Sequence, residues 1–121
     1  MVRIKRLYKS FVYSFRGLFK TFKEEQNLKV QTFIGLLALG FGWYFKISRF
    51  EWLALILVIS LVILMEVVNS AVERVTDVLK PRINGYVKEI KDIMAAAVML
   101  ASFIAVIVGL IIFIPYLLDL I

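Results

Sequence analysis

The stretch from Trp52 to Leu79, WLALILVISLVILMEVVNSAVERVTDVL, decides the fold because it joins an uncharged apolar run directly to a series of ionisable groups. The run up to Met65 has the composition of a membrane helix, but a span needs about 17–25 mostly apolar residues. We therefore expect one long helix that crosses the membrane, continues through Glu66 and carries a polar stripe to the membrane surface.

The polar residues of this segment share one helix face. At about 100° per residue, Glu66, Asn69, Glu73 and Asp77 fall within roughly an 80° arc. Carboxylates at that depth are costly unless they meet a cation, a proton or a polar partner, and an intramembrane ionisable group is a functional-site candidate. A set of interhelical hydrogen bonds is the structural alternative.

The composition indicates an integral membrane protein, since 62% of the 121 residues are hydrophobic and a soluble domain usually has about 45–50% apolar residues. Three uncharged runs predict three transmembrane helices: Val30 to Phe45, Trp52 to Met65, and Ile93 to Leu118. The predicted fold is an all-α membrane protein with a single domain over residues 1–121. It has an N-terminal interfacial helix over 1–27 and membrane helices over 28–47, 50–79 and 87–118, of which the last two extend into the cytoplasmic interface.

The N-terminal segment is predicted to be amphipathic. Apolar residues recur in it at helical spacing, with Arg and Lys distributed between them: Ile4, Leu7, Tyr8, Phe11, Val12, Phe15, Leu18, Phe19 and Phe22. This pattern is typical of a helix lying in the membrane interface. Such a helix could simply anchor the chain, or it could wall a site that lipid enters sideways.

Two further patterns concern the last membrane helices. Pro81 is expected to end the second of them, and Asn84-Gly85 to form the turn into the third. In the third, small residues repeat every four positions, at Ala97, Ala101, Ala105 and Gly109. This spacing favours close packing between helices, in the same chain or in another.

The basic residues predict the topology. Residues 1–29 contain eight Lys and Arg, the segment from Arg74 to Lys91 contains five, and the turn between the first two spans contains only Lys46 and Arg49. By the positive-inside rule, the N-terminus and the Arg74–Lys91 segment are cytoplasmic and the C-terminus is outside. The carboxylate stripe then faces the compartment that contains ATP. The net charge of +6 is explained by topology, so no nucleic-acid partner is expected.

Several kinds of chemistry are excluded by residue types. There is no cysteine or histidine, which excludes thiolate chemistry, the usual zinc sites and imidazole acid–base catalysis. The GxxxxGK[ST] phosphate loop is absent. Mg²⁺, which takes carboxylate oxygens and shares substrate phosphates, suits Glu25 and Glu73 if they converge. A separate carboxylate could then accept a hydroxyl proton, and a lysine could neutralise phosphate charge.

Three segments carry a family resemblance. Glu66 to Leu79, EVVNSAVERVTDVL, closely resembles the ExxNSAxExxxD signature of the small prokaryotic diacylglycerol kinases and undecaprenol kinases. The match extends to Phe15–Val30, FRGLFKTFKEEQNLKV, and to Lys88–Leu100, KEIKDIMAAAVML, and so covers most of the chain in the family's order.

The resemblance implies a lipid kinase of the bacterial cytoplasmic membrane, usually a homotrimer with sites between subunits. It would transfer the ATP γ-phosphoryl group to the primary hydroxyl of a membrane lipid. By position in the motif, Glu66 would be the general base and Asn69 would hold the reacting groups. Glu73 with Glu25 would ligate Mg²⁺. The nucleotide would be contacted by Lys91 and Asp92, which match the family's KD pair, whereas Asp77 matches an acidic position whose part could be structural.

The resemblance also favours one of the two possible lipid substrates. The sequence EEQN at Glu24–Asn27 is more similar to the version in Gram-positive undecaprenol kinases than to that in proteobacterial diacylglycerol kinases, which favours undecaprenol over diacylglycerol. Many members have a histidine before the third span, where this chain has Asn84-Gly85-Tyr86, so adenine contacts there are open. Two other classes stay as alternatives: a small carboxylate-dependent membrane transporter, and a structural subunit with no chemistry.

Overall fold

The computed structural model describes residues 3–80, 82 and 84–121, and this part of the chain is organised as four α-helices. Their bounds are α1, Ile4–Glu24; α2, Gln26–Phe45; α3, Arg49–Leu79; and α4, Asn84–Leu120. The last three helices are long and apolar enough to cross a membrane. As expected, α3 continues without interruption from the apolar run through Glu66 and the polar segment.

Local backbone features explain where the helices stop. Glu25 adopts an extended conformation and separates α1 from α2. Lys46 is left-handed, with φ 52° and ψ 55°, and ends α2. Ser48 then starts α3 with a capping box, in which the Ser48 hydroxyl accepts from the Glu51 amide and the Glu51 carboxylate accepts from the Ser48 amide. Such reciprocal bonds satisfy amides that have no partner within the helix.

The predicted turn at Asn84-Gly85 was wrong, because both residues belong to the first turn of α4. Asn and Gly are well tolerated at a helix start, where the backbone amides still need partners from outside the helix. The α3 helix ends at Leu79. Pro81, which was expected to end it, lies outside the described residues.

The core is built on α3, against which both α2 and α4 pack. Two glycines let α2 approach closely, since a Cβ added at Gly35 would lie 2.9 Å from the Ile59 side chain and one at Gly42 would lie 3.0 Å from Trp52. Their role here is helix packing.

The residues of the small-residue repeat in α4 differ in how closely they pack against another helix. Ala101 is buried, as expected for a contact with α3, the helix that α4 packs against most extensively. A Cβ added at Gly109, however, would meet no atom within 4 Å. Close packing within this chain therefore uses only part of the repeat.

The α2 and α4 helices approach each other at the Lys46 end through aromatic rings. Ring centroids are 6.5 Å apart for Phe41 and Phe113, 6.2 Å for Phe45 and Phe113, and 5.8 Å for Phe45 and Tyr116. At the opposite end α1 leaves the bundle without burying a single residue. Its apolar side chains, including Phe11, are exposed. Its location in the membrane interface stays a prediction.

Candidate functional site

The antiparallel packing of α2 on α3 determines which residues of α2 lie level with Glu66. Gly35 lies opposite Ile59, so two helical turns further along, Leu28 is level with Glu66. Both are buried, with exposed fractions of 1% for Leu28 and 3% for Glu66. The start of α2 therefore covers the point at which the polar stripe of α3 begins.

Glu66 has an unusual environment for a charged residue. Its backbone carbonyl accepts a hydrogen bond of 3.1 Å from Ser70 Oγ, but its carboxylate receives none from residues 3–80, 82 and 84–121. Glu25 Oε1 lies 3.9 Å from the guanidinium of Arg74, the residue that follows Glu73 on α3. The structure thus places Glu25 beside the polar stripe of α3 within one chain.

Glu73 is oriented by its neighbours on α3. Asn69 Nδ2 donates to Glu73 Oε1 over 3.3 Å, and Thr76 Oγ1 donates to the Glu73 carbonyl over 2.9 Å. The buried hydroxyls of Ser70 and Thr76 are both satisfied by their own helix, which is a common arrangement for these residues. Sequence reasoning did not single out either hydroxyl.

Arg74 entered the sequence analysis only as a positive charge, and its contacts at the site were not predicted. Its guanidinium contacts the Glu24 carboxylate, lies 3.9 Å from Glu25 Oε1, and donates to the Ser70 carbonyl over 3.2 Å. The junction of α1 and α2 is thereby tied to α3. The available signal was an arginine inside an acidic stripe, at a depth where a carboxylate partner is favoured.

The other two predicted positions lie at the start of α4. Lys91 Nζ contacts Asp77 Oδ1 over 3.1 Å and lies within Coulombic range of Glu73. Asp92 is exposed and has no hydrogen bond or ion pair with the described residues. Both line a cavity of about 360 Å³ together with Lys80 and Lys88. This basic cavity is a candidate place for phosphate groups.

The donor set fits a magnesium ion shared with a substrate. No cluster of three or more metal-ligating side chains lies among the residues that the structure describes. Mg²⁺, however, is usually held by one or two carboxylates plus substrate phosphates and water, not by a complete protein cage. Glu25 and Glu73 are candidates for such a pair, because Glu25 Oε1 lies 3.9 Å from the guanidinium of Arg74, the residue next to Glu73.

Comparison with known proteins identifies relatives of this architecture. Residues 12–113 match the family model for prokaryotic diacylglycerol kinase. The chain is 32% identical to undecaprenol kinase from Bacillus subtilis over 93% of its own length and 91% of the relative. It is 32% identical to diacylglycerol kinase from Synechocystis over 92% of its length, which covers 64% of that relative. It is 29% identical to diacylglycerol kinase from Escherichia coli K12 over 84% of both chains. The chain therefore belongs to the prokaryotic diacylglycerol kinase family, a family of lipid phosphotransferases.

Proposed function

We propose that this protein transfers the γ-phosphoryl group of ATP to the primary hydroxyl of a membrane lipid alcohol, with Glu66 as general base. The observation that carries the proposal is Glu66, a residue that is only 3% exposed at the start of the polar stripe and whose carboxylate receives no hydrogen bond from the described residues. An ionisable side chain at this position of a membrane helix is a functional-site candidate.

The reaction then has a simple balance. The lipid hydroxyl oxygen attacks the γ-phosphorus, its proton passes to the Glu66 carboxylate, and the bond from the γ-phosphorus to the bridging oxygen breaks to release ADP. Asn69 holds the reacting groups in place, as the family resemblance implies. Its side-chain amide also donates to Glu73, so it orients one of the two proposed metal ligands.

Glu25 and Glu73 hold Mg²⁺ in this proposal. When bound, Mg²⁺ would neutralise charge on the phosphates of ATP. Lys91 and Asp92 contact the nucleotide, supported by their position in the basic cavity at the start of α4. Asp77 has a structural part, since it forms an ion pair with Lys91.

Undecaprenol is the favoured lipid and diacylglycerol is the alternative. Support comes from the EEQN sequence at Glu24–Asn27 and from the Bacillus subtilis relative, which is named undecaprenol kinase and covers more of this chain than the Escherichia coli diacylglycerol kinase does. Both lipids carry a primary hydroxyl, so the chemistry at Glu66 is the same.

We further propose that the protein is a homotrimer of the bacterial cytoplasmic membrane with its active site at the cytoplasmic face. The charge distribution supports this orientation, with thirteen basic residues on the proposed inner segments against two outside. Probes at the N-terminus and at Tyr86 should be protected in intact cells, whereas a probe after Ile121 should react. Labelling of Tyr86 probes from outside would invert the topology.

The direct test is to give purified protein Mg-ATP with undecaprenol and, separately, with diacylglycerol. Lipid-dependent formation of ADP and of a phosphorylated lipid is expected, with faster turnover of undecaprenol. A transporter or a structural subunit would give no lipid-dependent turnover with either. Faster turnover of diacylglycerol would reverse the order of the two lipids without changing the class of enzyme.

A further inference from the structure

A groove of about 580 Å³ runs along the membrane part of the bundle. Its floor is α3 and its walls are α2 and α4, which approach each other only toward one end. The lining is almost entirely apolar, and its polar side chains are Gln31 and Ser102. The volume is in the range of about 300–1,000 Å³ that is typical of small-molecule sites.

The two ends of the groove differ. Toward the Lys46 end, Phe41 and Phe113 approach across it with their ring centroids 6.5 Å apart, so the helices close together. At the other end the floor residue is Val62, one helical turn before the buried Glu66 carboxylate. The groove therefore reaches to within one helical turn of Glu66 at one end and is narrowed by aromatic rings at the other.

Gly109 keeps this groove open. The contacts of Lys91 with Asp77 and of Tyr116 with Glu51 set the antiparallel register of α3 and α4. In that register Gly109 lies about two turns, roughly 11 Å, from the level of Glu66. It lines the groove, and a Cβ added there would meet no atom within 4 Å. A larger side chain would therefore enter the groove without displacing the fold.

We propose that the groove seats the head-proximal part of one hydrocarbon chain of the lipid alcohol, with Gly109 as a specificity-determining residue. This inference rests on the proposed function and adds how the substrate is selected. A lipid whose hydroxyl reaches Glu66 continues naturally past Val62 into the groove. The aromatic rings then turn the rest of the chain out into the bilayer. A single groove of this volume accepts one chain, which favours a polyprenol over a lipid with two acyl chains.

The physical basis for selectivity is contact with the chain. Lipid tails are as apolar as the helix surface, so moving a chain from the bilayer into the groove gains little free energy from the hydrophobic effect. The affinity for the chain therefore depends on van der Waals packing. A difference of one methylene in an apolar pocket typically changes discrimination about 10-fold or more. Filling the groove at Gly109 should therefore affect lipid use strongly and nucleotide use little.

The test compares Gly109→Leu with the matched control Gly40→Leu. Gly40 lies on α2, also has no atom within 4 Å of an added Cβ, and does not line the groove. We expect the KM for undecaprenol to rise about tenfold in Gly109→Leu. The KM for Mg-ATP should stay within about twofold, and Gly40→Leu should match wild type. An unchanged KM for undecaprenol in Gly109→Leu would overturn the proposal. If the KM is unchanged but the variant no longer forms the oligomer, the groove would instead be assigned to contact with a second copy of the chain.

A second measurement does not depend on turnover. A polyprenol carrying a photoreactive diazirine within its first three isoprene units is irradiated with the protein in bilayers, and cross-linked peptides are mapped. We expect labelling at Ala105 and Val106 in wild type and in Gly40→Leu, with at least about a fivefold loss in Gly109→Leu. Labelling spread evenly around the helices would indicate ordinary bilayer lipid and overturn the proposal. Groove labelling without any lipid kinase activity would instead contradict only the proposed function.

Discussion

The carboxylates at the two ends of the helical bundle have different surroundings. At the Lys46 end, Glu51 accepts from the Ser48 amide and from the Tyr116 hydroxyl, so its charge is matched by donors from two helices. At the other end, the polar stripe of α3 begins with the carboxylate of Glu66, a residue that is 3% exposed. The described residues donate no hydrogen bond to it. The first arrangement stabilises a fold, whereas the second leaves negative charge available for a proton, a metal ion and a substrate.

Glu66 should show the largest effect. Glu66→Gln keeps the size of the side chain but removes its basicity, and general-base contributions are typically about 10²–10⁴-fold. We expect a loss of kcat in that range with Mg-ATP affinity nearly unchanged, measured by lipid phosphorylation and nucleotide binding. Glu89→Gln is the control, because Glu89 is an exposed carboxylate near the start of α4. Turnover of Glu66→Gln within about threefold of wild type would remove Glu66 as the base.

Glu25 and Glu73 are expected to act as a unit although 48 positions separate them. Each single Gln variant should be nearly inactive and the double variant scarcely worse, since residues that serve one function are strongly non-additive. Each of the two single substitutions should weaken Mg-dependent ATP binding. Glu24→Gln, at the neighbouring position, should retain activity within about threefold.

The same pair tests whether the metal site belongs to one chain. Because Glu25 Oε1 lies 3.9 Å from Arg74, the neighbour of Glu73 in the same chain, mixed oligomers of Glu25→Gln and Glu73→Gln chains should not regain activity. Recovery, with mixed assembly confirmed, would mean that the two ligands meet across a subunit boundary. Full activity of either single variant would remove that residue from the metal site.

Tyr116 should affect stability at the opposite end. Tyr116→Phe removes the hydroxyl that donates to Glu51, and hydrogen bonds of this kind contribute about 1–2 kcal/mol in membrane and charged settings. We expect the free energy of unfolding in detergent to fall by about that amount, while kcat and both KM values stay within about twofold. A large loss of kcat with unchanged stability would show that this end takes part in the reaction.

Arg74 should give the smallest effect even though it lies beside the proposed metal ligands. The side chains of Arg74 and Glu24 are 44% and 50% exposed, and exposed ion pairs contribute about 0.2–1 kcal/mol. Arg74→Gln should therefore change the half-saturating Mg-ATP concentration by no more than about fivefold, and added salt should reduce the difference. A loss as large as that of Glu73→Gln would place Arg74 in the catalytic site.

Some features of the site could be predicted because they depend on local periodicity. The spacing of Glu66, Asn69, Glu73 and Asp77 fixes a common helix face wherever the helix lies. The pairing of Arg74 with Glu24 and the burial of Leu28 over Glu66 could not be predicted in the same way. They depend on the register between α2 and α3, which is set by the close approach at Gly35 and Gly42.

The sequence by itself determined three long apolar helices, the polar stripe and the family, because composition, helical period and motif spacing are properties of a linear chain. The tertiary structure was needed to find that Glu25 lies beside Arg74 of the polar stripe, that Asn84 and Gly85 are helical, and that Gly109 faces an open groove. The physical reason is that packing between helices depends on contacts between residues far apart in sequence. The glycine at Gly35 lets a neighbouring helix pack closely, whereas the glycine at Gly109 leaves empty space beside it. This difference depends on where the other helices lie and not on the residue itself.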